Sequence, residues 1–325
     1  MRWSFTLDEL KIIDIIVETV GQPKKLFSEI GDDVAWTKKA MKKEKFVIKC
    51  DMLVGKTDIP KNMTLRQAAR KCVVACVSDF ASKGVKPWGA LVSLGIPRGF
   101  TEENILEIAN GLKDAKNEYE IEIVGGDTNE TTDLIMDCIM FGWGKEITTR
   151  DGAYSDEVVF TTGDFGLPPL GLDIISGVRQ IKSPRLTEKA IGAVLYPKAR
   201  LAFGLGLTNR KLVTAAIDSS DGLIFSLYEI ASRSRVDIFL DEVPINEALK
   251  NSNEVTEKEK IEYAFYGGEE YEIVFTSRLK DIPKIATWAK ETGTPVKKIG
   301  RTMEGNGRVY FNNEILPQRG WVHLR

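Results

Sequence analysis

Leu212-Val213-Thr214-Ala215-Ala216-Ile217-Asp218-Ser219-Ser220-Asp221-Gly222 is an apolar strand pattern that runs straight into two aspartates, two hydroxyls and a glycine. A helical pattern follows over 221–233, so the carboxylates collect where a strand hands over to a helix. The same punctuation recurs as Gly31-Asp32-Asp33, Cys50-Asp51, Ser78-Asp79 and Gly125-Gly126-Asp127-Thr128, then as Gly267-Gly268-Glu269-Glu270-Tyr271-Glu272. No glycine-rich Walker loop accompanies these clusters. Hard divalent cations take oxygen ligands, and Mg²⁺ is usually shared between a few carboxylates and a substrate's phosphates. Six such clusters between apolar segments point to a multi-metal phosphate site.

Working outward, strands are expected at 46–50, 89–96, 120–124, 134–142, 157–162, 236–240, 271–276, 296–300 and 307–311. Position 51 is expected at the end of the first of these. Helices are expected from Thr6 to Gly21, from Thr64 to Gly84, over 101–118, near 186–195, 198–206 and 256–265, and over 281–292. Thr6 with Glu9 and Thr64 with Gln67 have capping-box spacing. Long strands and helices without strict βαβ alternation indicate an α+β class with helices covering sheets. At 325 residues the chain exceeds the usual single core, which favours two domains, 1–148 and 149–325, divided near the polar run Thr148–Gly152.

Composition narrows the chemistry. Lys plus Arg number 45 against 47 Asp plus Glu, so the broad basic face of a nucleic-acid binder is not expected. Apolar stretches are too short for a membrane span, and a cytoplasmic protein is expected. Cys50, Cys72, Cys76 and Cys138 lack CxxC spacing, and Cys72 and Cys76 read as small buried hydrophobes. The sole histidine is His323, which removes His-rich metal sites and Ser-His-Asp hydrolysis. Carboxylates, metals and positioned backbone must carry any reaction.

The ordered segments Gly31–Ala35, Cys50–Ile59, Val77–Pro87, Gly125–Thr128, Thr149–Asp156, Asp218–Leu223 and Gly267–Ile273, with Gly320-Trp321, resemble the thiamine-monophosphate kinase family over nearly the whole chain. That resemblance implies a two-domain aminoimidazole ribonucleotide synthetase-like fold whose N-terminal sheet forms a homodimer. It implies transfer of the γ-phosphoryl group of ATP onto thiamine monophosphate, with several Mg²⁺ ions. By motif position it implies metal contacts at Asp33, Asp51, Asp79, Asp127, Asp218 and Asp221, with Cys50 offering its backbone. It implies ATP contacts at Gly126, Asp127, Arg150 and Ser220, and acceptor contacts at Asp58, Glu269 and Trp321.

No general base is expected, because a phosphate acceptor is already ionised and metal-assisted positioning suffices. Plainer roles stand beside these. Asp32 suits a turn, Asp218 and Asp221 suit a helix cap, and Glu270 and Glu272 suit solvated charges. Two departures from the family pattern matter: Lys49-Cys50 replaces a small hydroxyl pair, and Asp58 replaces a histidine on the acceptor side. They keep open a superfamily relative acting on another small acceptor, or an inactive nucleotide-binding relative.

Overall fold

The computed structural model describes residues 9–23, 27–40 and 43–321. The Thr6 end of the first helix and His323 lie outside the described residues. Helix α1 (Glu9–Val20) precedes a first sheet built from β1 (Ala35–Trp36), β2 (Lys45–Val54), β3 (Lys86–Pro97), β4 (Glu122–Gly125), β5 (Thr128–Thr131) and β6 (Ile135–Gly144). Its order is β1-β2-β6-β3-β4, with β5 also on β3. The short α2 (Gly55–Asp58), α3 (Leu65–Lys83) and α4 (Glu102–Tyr119) fall between these strands.

The second half opens with β7 (Glu157–Thr162), α5 (Leu167–Ile175), α6 (Pro184–Leu195), α7 (Leu201–Asn209), β8 (Ala215–Ser219) and α8 (Leu223–Ser234). It continues with β9 (Val236–Leu240), α9 (Glu247–Lys250), α10 (Glu257–Tyr266), β10 (Glu272–Arg278), α11 (Ile282–Thr292), β11 (Val296–Glu304), β12 (Val309–Phe311) and β13 (Glu314–Ile315). The second sheet has the order β13-β12-β9-β11-β7-β10-β8. Both sheets mix parallel and antiparallel pairs, as the α+β expectation requires.

Helix α3 positions the site. Thr64 accepts from the Gln67 N–H, and Gln67 answers onto the Thr64 backbone, so the expected capping box is present. Gly84 ends the helix at φ +65°. Fifteen of its residues are buried, because α3 packs on β2 and β6 of the first sheet and on β8 and β10 of the second. A helix covered on all sides needs apolar or small residues around its whole circumference, which Ala68-Ala69, Cys72-Val73-Val74, Cys76-Val77 and Phe80-Ala81 provide. Among the buried polar residues of this helix, Lys71, Asp79 and Lys83 belong to the site described below.

Two expectations need correction. Asp51 does not end its strand; β2 continues to Val54. Glu270 and Glu272 are not solvated. Glu272 is buried against Arg200 and accepts from the Thr162 hydroxyl at 2.5 Å. Glu270 is buried too and accepts from the Gly166 N–H at 2.6 Å. Burial pushes the Glu270 carboxyl well above its ordinary range.

Candidate active site

Three chain segments converge on one group of carboxylates. Strand β8 pairs with β10, setting Asp218 opposite Ile273. Helix α3 supplies Asp79 from its last turns, and the loop before β1 supplies Asp33. Carboxylate oxygens of Asp33, Asp79 and Asp218 lie within 4.8 Å of one another, and all three residues are buried. Neither Asp218 nor Asp221 caps α8. The N-cap is Gly222 at φ +110°, and it makes no side-chain bond. The plain capping role therefore falls away.

Built-in cations hold part of this charge. Lys83, one helical turn beyond Asp79, is 0% exposed; its ammonium lies 2.8 Å from Asp32 Oδ1 and 2.5 Å from Asp33 Oδ2. It also donates to the Ala216 carbonyl at 2.7 Å. The Arg150 guanidinium pairs with Asp33 and, at 2.7 Å, with Glu229. Its backbone N–H donates to Asp32 Oδ2 at 3.3 Å. Asp32 is thus more than a turn residue: it anchors both cations.

On the other side, Lys49 Nζ lies 2.8 Å from Asp79 Oδ2 and 3.9 Å from Asp51 Oδ2. Burial works against the Lys49 ammonium, but Asp79 and Asp51 outweigh it and hold its pKa well above the usual lysine value. Burial also pushes Asp79 well above the carboxylate range, opposed by Lys49 and reinforced by Asp218 and Asp51. Asp51 is raised for the same leading reason.

The donor set fits a hard divalent ion. It is all oxygen, it is crowded with negative charge, and the buried hydroxyls of Ser78 and Ser219, next in sequence to Asp79 and Asp218, have no hydrogen-bond partner. Buried polar groups ordinarily find one.

Beside this group, bordered by Lys49 and Asp51, lies a cavity of about 660 Å³, within the range of small-molecule sites. Lys49, Asp51, Ser220 and Asp221 line one part, and Asp58, Lys71, Glu269 and Trp321 line another. The backbone N–H groups of Glu269 and Trp321 donate to Ser220 and Asp221 at 2.6 and 2.9 Å, so three distant segments are tied into one wall. Glu269 and Tyr271 have φ of +69° and +53°. Backbone strain of this kind, about 1–3 kcal/mol per residue, concentrates at functional sites. Lys71 is buried, pairs with Glu269, and donates to the Asp58 carbonyl at 3.2 Å. Asp58 itself accepts from the Val54 N–H at 2.7 Å.

Two of the expected site residues lie elsewhere, and a third turns its side chain away. Asp51 pairs with Cys138, Cys138 with Val92, and Gly126 packs on the Val92 carbonyl. Asp127 is therefore about three strand spacings, roughly 14 Å, from Asp51. It sits exposed between β4 and β5, outside the triad. A Cβ on Gly126 would stand 1.8 Å from the Val92 oxygen, so the close approach this glycine permits is to β3. Cys50 follows Lys49 by one residue and projects from the opposite face of β2. Its thiol donates to Asp137 at 3.0 Å, and burial together with Asp137 pushes its pKa up to about 12. Lys71 gave no sequence signal beyond a charge just ahead of the apolar run Cys72–Val77. Lys83 gave no signal of its own beyond a charge late in the expected 64–84 helix.

The comparisons bear on the whole chain. A family model for "AIR synthase related protein, N-terminal domain" matches residues 31–144. The thiamine-monophosphate kinase of Nitrosopumilus maritimus is 38% identical over 322 residues, covering 98% of this chain and 99% of that protein. This chain belongs to the thiamine-monophosphate kinase family. Another member, from Pyrococcus abyssi, is 37% identical across 91% of this chain and 90% of its own length. A solved structure of the family, AaThiL complexed with AMPPCP and TMP, superposes with a TM-score of 0.82 at 27% identity and covers 99% of both chains. The expected aminoimidazole ribonucleotide synthetase-like fold is thus the fold of this family member. Among the described residues no helix is long and apolar enough to cross a membrane.

Proposed function

We propose that this chain transfers the γ-phosphoryl group of ATP to the phosphate of thiamine monophosphate, giving thiamine diphosphate and ADP. The observation that carries this reading is a cavity lined by both signs of charge whose wall residue Lys49 pairs with Asp79 of the buried carboxylate triad. A terminal oxygen of the acceptor phosphate bonds to the γ-phosphorus as the bond to the β,γ-bridging oxygen breaks. Two unit charges about 4 Å apart repel by about 4 kcal/mol at an effective dielectric near 20, so polyanions approach only where cations stand between them. Asp33, Asp79 and Asp218, with Asp51 and Asp221 beside them, would hold Mg²⁺, which supplies charge neutralisation for both phosphates.

The chain's own residues do the rest. Lys71, buried at the cavity wall, presents an ammonium to the acceptor's phosphate. Glu269 and Asp58 face the cationic thiazolium, and Trp321, 57% exposed at the cavity mouth, offers a ring face for stacking. Ser220 offers a hydroxyl to the nucleotide. Arg150 reaches a phosphate only by leaving its carboxylate partners, so its main work is to hold the Asp32-Asp33 loop. Gly126 and Asp127 stay in this reading as nucleotide-side residues on the family pattern alone. With no histidine among the described residues that line the cavity, positioning and electrostatics carry catalysis.

The same reading divides the chain into units 1–148 and 149–325, each carrying one sheet. It pairs two copies through the first sheet and places the enzyme in the cytoplasm, where ATP is the donor.

Incubation with ATP, Mg²⁺ and thiamine monophosphate, followed by thiochrome-fluorescence chromatography, tests it. A thiamine diphosphate peak that requires Mg²⁺ and the monophosphate is expected, with free thiamine inert. Measurable ATP binding without product would transfer the reading to a different small acceptor.

A further inference from the structure

The three carboxylates Asp51, Asp79 and Asp218 are not equal claimants on metal. Asp33, the remaining member of the buried group, already faces Lys83 and Arg150. Asp79 and Asp51 share a different partner, the ammonium of Lys49, at 2.8 and 3.9 Å. Lys49 and Asp51 are two residues apart on β2 and project from the same face. That face meets α3, so Asp79 comes down onto both. A nitrogen held between two carboxylates occupies the place of a bridging cation.

From this geometry we propose that Lys49 is a tethered cation that takes up one of the cation positions of the carboxylate cluster. This chain would then bind one divalent ion fewer than the same cluster without the lysine. The inference rests on the phosphoryl-transfer reading above, because it concerns the ions that reading requires. The charge count agrees with it. With Asp32 and Asp33 matched by Lys83 and Arg150, the carboxylates Asp51, Asp79, Asp218 and Asp221 bring four negative charges, and Lys49 offsets one of them. Without the lysine the same carboxylates retain one more negative charge and an open coordination position.

A lysine is also a different kind of cation. It cannot be lost to chelators, it donates in three directions, and it brings no coordinated waters. Lys49 lines the cavity as well as touching Asp79. Part of the ammonium therefore remains available to a phosphate oxygen.

Mn²⁺ titration followed by electron paramagnetic resonance, without nucleotide or acceptor, reads the number of tightly bound ions directly. The expected result is that Lys49→Met binds one Mn²⁺ more per chain than the wild type, while Lys49→Arg keeps the wild-type number. Lys49→Ser serves as the second neutral variant should the methionine protein fail to fold, with circular dichroism melts on each. Equal Mn²⁺ numbers and affinities in wild type and both neutral variants would overturn the role of Lys49 and leave the function untouched. Absence of Mn²⁺ from all of them would remove the metal site itself, and the inference with it.

Discussion

At the scale of single residues, the site depends on how buried charges are matched. Lys83 has a side chain 0% exposed with two carboxylates and a carbonyl around it. Removing one partner of a buried ion pair costs about 3–5 kcal/mol, because the other charge stays buried. Arg150 remains beside Asp33, so Lys83→Met is expected at the low end, a loss of about 3 kcal/mol in urea unfolding. A loss below about 1 kcal/mol, the size of an ordinary surface change, would mean that the pair is not maintained in solution. Asp127 sets the family pattern against the geometry. It is exposed and roughly 14 Å from Asp51 by strand spacing, so Asp127→Asn has nothing buried to disturb and should melt like the wild type. Turnover is nevertheless expected to fall by at least about 100-fold, the scale of losing a transition-state contact. Full activity in that variant would remove Asp127 from the nucleotide side.

At the scale of elements, the same logic applies to backbone spacing. Gly126 has no left-handed φ to maintain; what it lacks is room, with the Val92 oxygen 1.8 Å from any added Cβ. Backbone cannot swing aside as a side chain can, so Gly126→Ala must pull β4 and β5 from β3. A destabilisation of about 1–3 kcal/mol is expected, as for other overpacked sites, seen as a lowered melting temperature. An unchanged melt would show that the turn is looser than described. The elements themselves were unevenly legible in the sequence. Strands β7 and β9 fall where alternating and β-branched residues put them, because local pattern and burial agree there. Helix α5 was not among the expected helices; its Pro168 and Pro169 lie in the first helical turn, where proline loses no hydrogen bond. Strand β5 was unforeseen because Thr128-Asn129-Glu130-Thr131 carries no apolar residue. Its ladder with β3 alone makes it a strand. The carboxylate triad was legible residue by residue. Its basic partners were not, since nothing local says that Lys49 of β2 meets Asp79 of α3.

At the scale of the whole molecule, α3 lies between two sheets and leaves the other face of the first sheet without that helix. Along this face the register aligns Phe46 with Trp143, Ile48 with Phe141, and Leu91 with Ile139. The Phe46 and Trp143 rings stand edge to face with centroids 5.2 Å apart. Met52, Leu91 and Val124 are 59%, 37% and 59% exposed. Contiguous exposed apolar surface of this kind marks an interaction site in a stable soluble protein. A second copy of the chain is the occupant proposed above, and a two-fold pairing would set each patch against itself. Leu91→Asp separates the two cases. In a monomer the new carboxylate stays in water and costs little. In a symmetric interface it is desolvated and faces an apolar partner, with its own twin nearby, and burying unpaired charge costs several kcal/mol per group. The wild type is expected to elute at twice the 36.3 kDa chain mass in light-scattering chromatography, and Leu91→Asp at the single chain mass with its melt little changed. A wild type that runs as a monomer at tens of micromolar, or a variant that stays paired, would assign that apolar face to something other than a second copy.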